Sequence, residues 1–255
     1  MATFVHYTVK GSVARLTLDS PDNRNALSTA LVSQLHQGLT DATEESGVRA
    51  VVLDHTGGTF CAGADLAEAA GRDPGDRAVD RARELTHLLR RILKLPIPVI
   101  AAVDGHVRAG GLGLVGACDI AVAGPASTFA LTEARIGVAP SIISLTLLPK
   151  MTARAAGRYF LTGERFGASE AANIGFISIA ADDVEAAVST LTAAIAKASP
   201  QGLAASKALT TASMLQAFDE RAEQLTRQSA ELFVSEEARE GMMAFLQKRP
   251  PRWIG

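Results

Sequence analysis

Two glycine-rich segments are the parts of this sequence best suited to binding a reactive group. Residues 56–66 read Thr-Gly-Gly-Thr-Phe-Cys-Ala-Gly-Ala-Asp-Leu, and residues 104–113 read Asp-Gly-His-Val-Arg-Ala-Gly-Gly-Leu-Gly. Each follows an apolar run typical of a buried strand and is predicted to lead into a helix. Small residues at such a junction let a ligand approach the backbone, and the start of a helix leaves N–H groups unpaired. Both segments are therefore candidate sites of backbone N–H donors, although either one alone could equally be a tight turn.

A third glycine pattern imitates a nucleotide-binding motif. The run 111–116 spells Gly-x-Gly-x-x-Gly, and Glu133 lies 20 residues beyond Gly113. In a dinucleotide-binding fold, however, the glycine turn follows its strand directly. Here the predicted strand ends at Val103, so seven residues intervene before the run. The next predicted strand already starts at Asp119, which leaves no room for the helix and second strand of that fold, so NAD binding is not predicted.

The elements that must hold these segments alternate between strand and helix over about the first 140 residues. Ser28 is placed to cap a helix that runs to about Glu45, and residues 80–94 have a helical pattern. The polar stretch 71–80 is predicted to be a mobile loop. Alternating or continuous apolar runs predict strands at 13–18, 48–53, 98–103 and 119–123.

Strand patterns nearly vanish after about residue 141. Several of the helical segments that follow are apolar on more than one face, which indicates packing against other subunits. The chain is therefore divided into an α/β core, residues 1–195, and a helical C-terminal region, residues 196–255, for oligomerisation and active-site cover. The predicted helical segments are 142–150, 152–162, 168–174, 183–197, 201–213, 216–234 and 236–247.

The composition argues against several classes of protein. The 255 residues are 47% hydrophobic with a formal net charge of −2, and the spread of basic residues argues against binding to nucleic acid or a membrane surface. Cys61 and Cys118 lie in apolar or glycine-rich surroundings, so neither a disulfide framework nor a metal site is predicted. Neither a signal peptide nor a stretch approaching about 18 apolar residues is found. The expectation is a soluble, cytoplasmic protein without a metal.

The two glycine segments, in this order and setting, resemble those of the crotonase family, the enoyl-CoA hydratases and isomerases. Residues 60–66 are similar to its first signature, and residues 103–111 continuing to 118–120 are similar to its second. Further matches run from 25–27 to 245–250, so the resemblance covers nearly the whole chain. It implies a ClpP/crotonase-like spiral of ββα units with a helical C-terminal trimerisation region. It also implies a homotrimer or a hexamer of two trimers, an acyl-CoA substrate, and no cofactor beyond the coenzyme A of that substrate.

The same resemblance implies roles for individual residues. The N–H groups of Ala64 and Gly110 would form an oxyanion hole that polarises the thioester carbonyl, where losing one donor typically costs ~3 kcal/mol. Arg24 and Lys248 would meet the CoA phosphates, Lys248 from a neighbouring subunit. The residues implied to bind the substrate or its CoA are Arg24, Ala26, Leu27, Ala62, Asp65, Leu66, Val107, Arg108 and Lys248.

Hydratases of the family use two glutamates, and this chain matches one of them. Glu133 corresponds to the second and interrupts an apolar stretch, which would raise its pKa and suit proton transfer. It could instead start a helix or pair with Arg135. The first glutamate belongs three residues after Gly110, where this chain has Gly113, which can neither hold nor deliver a proton. The chain could thus be a hydratase of an α,β-unsaturated acyl-CoA, a Δ3-Δ2-enoyl-CoA isomerase with Glu133 as single base, or a non-catalytic acyl-CoA-binding protein.

Further local similarity favours the hydratase. Residues 136–144 and 158–166 resemble the methylglutaconyl-CoA hydratases of leucine breakdown. Arg108 could pair with the second carboxylate of such a substrate, or it could point into a subunit contact. His106 is a weaker candidate for the missing acid. The dienoyl-CoA isomerases carry an acid eight residues after Glu133, where this chain has Ser141, which counts against that activity.

Overall fold

The computed structural model describes residues 2–69 and 74–255, whose strands form two sheets. In chain order these strands are β1 (Val5–Lys10), β2 (Val13–Leu18), β3 (Ala50–His55), β4 (Thr59–Cys61), β5 (Val99–Val103), β6 (His106–Arg108), β7 (Ile120–Ala123), β8 (Thr128–Ala130), β9 (Phe166–Gly167) and β10 (Ile179–Ala180). The larger sheet has the spatial order β1-β2-β3-β5-β7-β10, and the smaller sheet has the order β4-β6-β8-β9. The strand pairs are parallel except β1 with β2 and β8 with β9, which are antiparallel.

Helices surround the sheets and make up most of the chain beyond residue 141. In the described residues they are α1 (Thr29–Glu44), α2 (Leu66–Ala69), α3 (Pro74–Lys94), α4 (Gly110–Ala117), α5 (Ser144–Leu147), α6 (Ala153–Thr162), α7 (Ala168–Asn173), α8 (Val184–Ile195), α9 (Pro200–Phe233) and α10 (Glu236–Leu246). Two short 3-10 helices span Pro21–Asn23 and Glu133–Ile136. None of these helices is both long enough and apolar enough to cross a bilayer.

Successive strand pairs repeat one arrangement, which brings the glycine-rich segments together. β3 and β4, β5 and β6, and β7 and β8 each place one strand in the larger sheet and the next in the smaller sheet. Each pair then leads into helical structure, so the chain forms a spiral of ββα units. Because β4 and β6 are parallel neighbours, their carboxyl ends lie at the same edge of the smaller sheet. The two glycine-rich segments leave the sheet at this edge.

The larger sheet is covered on both faces, as its continuous apolar strands require. On one face, Val52, Ile100 and Val122 pack with Val188 of α8. The opposite face of β3 and β5 belongs to the main core, which also contains buried residues of α1, α3 and α4. This packing fixes the ends of β3 and β5, and therefore the start of the short strands that carry the glycine-rich segments.

The predicted core elements are confirmed. The strands predicted at 13–18, 48–53, 98–103 and 119–123 are β2, β3, β5 and β7, with ends shifted by at most two residues. Ser28 caps α1 by accepting a hydrogen bond from the Leu31 N–H at 3.3 Å. The division of the chain at residue 195 falls between α8 and α9, and the two domains themselves stay a prediction.

Two predictions about helices are wrong. Within the mobile loop predicted at 71–80, residues 74–80 are helical and belong to α3; residues 71–73 lie outside the described residues. The separate helices predicted at 201–213 and 216–234 are one helix, α9. Met214 lies within α9 and is buried, and no glycine or proline interrupts the chain there.

A buried lysine attaches α9 to the core. The Lys207 side chain is only 3% exposed, and its Nζ lies 2.7 Å from Asp119 Oδ2. Nζ also donates to the Ile92 and Ile97 carbonyls at 2.8 and 3.0 Å. Burial lowers the pKa of Lys207, and Asp119 opposes this effect. The ammonium thus has an acceptor for each of its N–H groups, which is the condition for retaining a charge in an apolar interior.

We expect Lys207→Met to lower the free energy of unfolding by about 3–5 kcal/mol. It leaves the Ile92 and Ile97 carbonyls without this donor, and it leaves the Asp119 carboxylate with the Val99 N–H but without its cation. Urea unfolding at a fixed protein concentration measures the change. Lys197→Met is the matched control, since Lys197 is exposed and should change stability by no more than about 0.5 kcal/mol. Equal effects at the two positions would contradict the structural role of Lys207.

Candidate active site

A cavity of about 400 Å³ lies at the edge of the smaller sheet where both glycine-rich segments leave it. The 3-10 helix Glu133–Ile136 and the segment after it form one wall, and residues of α9 and α10 form another. Leu27 instead lines an adjoining cavity, whereas Val107 is fully buried in β6 and Lys248 is exposed. The residues singled out from the sequence that line the first cavity are Arg24, Ala26, Ala62, Ala64, Asp65, Leu66, Arg108, Gly110 and Glu133.

The backbone N–H groups of Ala64 and Gly110 are both unused at this cavity. Among the described residues, neither donates a hydrogen bond. Hydrogen bonds hold the backbone around Ala64 in place. The Leu27 N–H donates to the Gly63 carbonyl at 2.8 Å, and the Ala62 N–H donates to the Arg24 carbonyl at 3.1 Å. Gly110 is the first residue of α4, where an N–H has no acceptor within the helix. These two N–H groups are therefore free to bind an oxygen atom that carries negative charge.

Glycine at position 63 is required by the contact between the two segments. Its φ of +89° is one that side chains rarely adopt. A Cβ there would lie 2.9 Å from Ala109 Cβ, 3.1 Å from the Arg108 carbonyl oxygen and 3.3 Å from Gly110 N. The backbone just before Ala64 therefore packs directly against the backbone that leads to Gly110.

Ala109 has a strained backbone immediately before Gly110. Its φ of +47° and ψ of −122° are unfavourable for a residue with a side chain. The Ala109 N–H donates to the Ala130 carbonyl at 3.1 Å, which ties the strained residue to β8. Strain of this kind typically costs about 1–3 kcal/mol and persists where the surrounding structure holds it, often at functional sites. Here it sets the direction in which α4 begins.

Glu133 supplies an ionisable group to the same cavity. It is 7% exposed, and burial raises its pKa from 4.5 to about 7, although its own backbone N–H favours the charged form. Within the described residues, its Oε2 is buried without a hydrogen-bond partner. The alternative of a partnership with Arg135 is not realised, since Arg135 Nε donates to the Thr162 carbonyl at 2.9 Å. A carboxyl group with this pKa exchanges protons readily at neutral pH.

The space for a glutamate at position 113 is filled by Ile143. A Cβ on Gly113 would lie 2.4 Å from Ile143 Cγ2 and 3.4 Å from Leu89 Cδ1. The other glycines of this run also permit close packing, since a Cβ on Gly111 would lie 2.8 Å from the Cys61 carbonyl oxygen. The Gly-x-Gly-x-x-Gly pattern is thus buried inside α4, against β4 and the residues around α5.

Arg108 and His106 both contact Thr128 on β8. Arg108 Nη1 donates to the Thr128 and Val107 carbonyls at 2.7 and 2.8 Å, and Nη2 donates to Thr128 Oγ1 at 2.8 Å. His106 is exposed, with its Nδ1 2.9 Å from Thr128 Oγ1. Burial lowers the pKa of Arg108, and the nearby Arg165 lowers it further. Contact of Arg108 with a substrate carboxylate stays a prediction.

Asn25 positions the loop beside the cavity. It is fully buried, its Oδ1 accepts from the Ser20 N–H at 2.6 Å, and its Nδ2 donates to the Thr59 carbonyl at 2.8 Å. Arg24 and Asn25 both have positive φ values, +58° and +53°, so the loop turns sharply and leaves Arg24 exposed beside the cavity. Asn25 therefore acts on the site through the backbone.

Cys61, a buried cysteine beside the site, is expected to be unreactive. Cys61 carries a free thiol, and burial raises its pKa to about 12. At neutral pH such a thiol holds its proton and is a poor nucleophile. No group of His, Cys, Asp or Glu side chains in the described ranges is arranged to hold a metal ion. Besides Glu133, the ionisable side chains that line the cavity are those of Arg24, Arg108, Asp22 and Asp65.

Several residues that line the site are not predicted from the sequence to bind a ligand. Ser141 lines the cavity, and among the described residues its buried Oγ has no hydrogen-bond partner. A second cavity of about 410 Å³ adjoins the first. Five residues line both cavities, namely Ala64, Leu85, Ile142, Ser229 and Phe233.

Comparison with known proteins agrees with this geometry. The sequence profile of the enoyl-CoA hydratase/isomerase family matches residues 8–255. The enoyl-CoA hydratase EchA19 of Mycobacterium tuberculosis is 31% identical over 249 residues, which are 96% of this chain and 94% of that protein. A crystal structure of an enoyl-CoA hydratase from Mycobacterium avium is 65% identical with a TM-score of 0.93, covering 99% of this chain and all of the other. An enoyl-CoA hydratase from Shewanella pealeana is 33% identical with a TM-score of 0.78, covering 98% of this chain and 96% of that one.

The chain therefore belongs to the enoyl-CoA hydratase/isomerase family and has the crotonase fold, as its signatures predict. The ββα units and the helical C-terminal region are the parts of that fold described above. The similarity to methylglutaconyl-CoA hydratases stays a prediction.

Proposed function

We propose that this protein is an enoyl-CoA hydratase that adds water across the α,β double bond of an acyl-CoA thioester. The observation that carries the proposal is that one cavity is lined by Ala64 and Gly110, whose backbone N–H groups are unused among the described residues, and by Glu133, whose carboxyl group is buried. Donors fixed in advance stabilise charge that develops in the transition state. A carboxyl group with a pKa of about 7 is suited to accept and return a proton.

The proposed reaction uses Glu133 twice. Its carboxylate takes one proton from water as the water oxygen forms a bond to Cβ. The electron pair of the double bond moves onto the thioester oxygen, where the N–H groups of Ala64 and Gly110 bind the resulting enolate. Glu133 then returns the proton to Cα, and the thioester carbonyl re-forms. Water has been added, and the enzyme ends in its initial state.

Gly113 favours a second candidate, a Δ3-Δ2-enoyl-CoA isomerase. Ile143 fills the space beside Gly113, so no side chain can extend from that position, and Glu133 is the cavity-lining carboxyl group that is buried with a raised pKa, whereas Asp22 and Asp65 also line the cavity. A single base is sufficient to move one proton between Cγ and Cα through the same enolate. Both reactions therefore use the oxyanion hole, and they differ in whether water attacks Cβ.

The adjoining cavities support an acyl chain of more than a few carbons. The second cavity begins at Ala64 and Leu85, which also line the first, so a chain attached to the bound thioester has apolar space to enter. The finer form of the proposal is a methylglutaconyl-CoA-like substrate with a second carboxylate bound by Arg108. Arg108 already donates three of its five N–H groups to Thr128 and Val107. The substrate carboxylate would therefore bind the Arg108 Nε–H and the second N–H of Nη2.

We further propose a trimer or a hexamer in which the C-terminal residues meet a neighbouring subunit. Exposed apolar side chains cluster there, and Phe245 and Leu246 are about half exposed although they line the cavity. Contact between subunits would cover them and could bring Lys248 to the CoA of a neighbour. Sedimentation equilibrium tests this, and a monomer at micromolar concentration would contradict it.

We also propose that the protein is cytoplasmic and uses no cofactor beyond the CoA of its substrate. The free thiols of Cys61 and Cys118 are suited to a reducing compartment.

Three acyl-CoA compounds distinguish the candidate functions. A hydratase removes the conjugated absorbance of crotonyl-CoA or methylglutaconyl-CoA, and this is the expected result. If both are inert while a 3-enoyl-CoA gains conjugation, the hydratase is excluded and the isomerase stands. If all three are inert but still raise the melting temperature, the protein binds acyl-CoA without turning it over.

A further inference from the structure

Ser141 is a second buried polar group at the cavity that the proposed reaction has not yet used. It is 6% exposed, and among the described residues its Oγ makes no hydrogen bond. A buried hydroxyl without a partner destabilises a folded protein, because it has lost its hydrogen bonds to water. Glu133 Oε2 is likewise buried without a hydrogen-bond partner among the described residues, and Glu133 lines the same cavity. Two unpartnered polar atoms on residues that line one cavity are candidates to bind the same polar ligand.

The backbone around Ser141 is held firmly. The Ser141 N–H donates to the Ala139 carbonyl at 2.8 Å, and Ser144 Oγ donates to the Ser141 carbonyl at 2.6 Å. The Ser144 N–H donates to the Pro140 carbonyl at 3.0 Å. These bonds use the polar atoms of the backbone and leave the Ser141 hydroxyl free. The free hydroxyl is therefore a feature of a fixed segment.

The same segment removes the second acid. Ile143, two residues after Ser141, occupies the space that a side chain at Gly113 would need. The segment thus fills the space beside Gly113 with Ile143 and contributes Ser141 to the lining of the cavity. A water molecule that donates one O–H group to Glu133 has a second O–H group, which a serine hydroxyl oxygen can accept.

We propose that Ser141 positions the attacking water, with Glu133 accepting one O–H and Ser141 Oγ accepting the other. This arrangement directs a lone pair of the water oxygen at Cβ. As the O–Cβ bond forms, the first proton passes to Glu133 and the second stays on the new hydroxyl group, hydrogen-bonded to Ser141. The inference rests on the proposed hydratase, since an isomerase has no attacking water to position.

Four proteins test the inference: wild type and the variants Ser141→Ala, Ser141→Thr and Ser141→Val. Thr and Val have nearly the same shape and differ in the hydroxyl group. We expect Ala and Val to lower kcat for hydration of crotonyl-CoA about 10- to 100-fold with KM changed less than about threefold, because the hydroxyl binds water and not the thioester. Thr should retain at least about a third of the wild-type kcat.

Stability provides the second readout. Because Ser141 Oγ has no partner in the described structure, we expect the Tm of Ser141→Ala to equal or exceed that of wild type. A fall in kcat together with an unchanged or higher Tm supports the inference. A Ser141→Ala variant that keeps kcat within twofold of an active wild type overturns the inference alone. A wild type that hydrates neither crotonyl-CoA nor methylglutaconyl-CoA overturns the proposed function and the inference with it.

Discussion

Glu133→Gln is expected to lower kcat for hydration by about 10²–10⁴-fold while leaving acyl-CoA binding nearly unchanged. The amide has almost the shape of the carboxyl group but cannot take a proton from water or return it to Cα. Stopped-flow or steady-state loss of the conjugated absorbance measures the change. Glu231→Gln makes the same replacement at an exposed position on α9 and should keep wild-type activity. Activity in Glu133→Gln within tenfold of wild type would exclude Glu133 as the base.

The pH dependence of the wild type follows from the same residue. Burial raises the pKa of Glu133 to about 7, and the base must be ionised to accept a proton. We therefore expect kcat/KM to rise with pH and to level off above about pH 7. A profile that is flat between about pH 5 and pH 8 would contradict this role.

Glu133→Gln should also stabilise the folded protein at alkaline pH. Between 4.5 and about 7 the folded state retains the Glu133 proton while the unfolded state releases it, so stability falls as the pH rises through this window. Above it, the buried carboxylate costs the wild type about 3 kcal/mol, which the neutral amide avoids. Glu133→Gln should therefore gain Tm over wild type near pH 8 and little near pH 5. An equal difference at both pH values would show that burial does not raise the pKa.

The second large effect is expected at the oxyanion hole. Gly110→Pro removes one of the two N–H donors at the first residue of α4, where the missing N–H takes no hydrogen bond away from the helix. We expect kcat/KM to fall about 10²–10³-fold, the usual effect of losing one such donor. The proline ring also occupies the space in front of the former N–H, so a thioester oxygen bound there would be displaced.

Gly110→Ala is the matched control because it keeps the N–H group. Its Cβ would lie 3.1 Å from Leu27 Cδ1, the end of a flexible side chain that can move by a few tenths of an ångström. The alanine variant should retain activity within about tenfold of wild type. Circular dichroism and Tm establish that both variants fold. Equal activity in folded Gly110→Pro and Gly110→Ala would show that the Gly110 N–H does not bind the carbonyl.

The sequence indicated the site because its glycines have backbone roles that few other residues can fill. Gly63 needs a positive φ and direct backbone contact, and the signature around it reflects both. Ala109, in contrast, adopts a strained backbone that nothing in its identity indicates. Gly113 was recognised as a missing acid, but the reason, Ile143 in the same space, depends on a contact between residues 30 apart in the chain. Such contacts are set by tertiary packing and leave no local pattern.

The longer core strands were predictable, and the short ones were not. β3 begins with four continuous apolar residues and β5 consists of five, enough to distinguish both strands from loops. β4, β6 and β8 have three residues each, which is too few to show alternation. Their pairing follows from the connections to the larger sheet. Ser141 was missed as a functional residue because an isolated serine has no pattern, and its free hydroxyl is visible only once the cavity is known.

The position of the thioester oxygen is the point on which the proposed function depends most directly. Isotope-edited infrared spectroscopy of a 2-enoyl-CoA with a ¹³C-labelled thioester carbonyl, bound to Glu133→Gln, measures its polarisation without turnover. We expect the carbonyl stretch to move to lower wavenumber when the compound binds to Glu133→Gln. In the double variant, which carries both Glu133→Gln and Gly110→Pro, the stretch should lie closer to its value in free solution. An unshifted stretch in Glu133→Gln, or the same shift in the double variant, would contradict an oxyanion hole that includes Gly110.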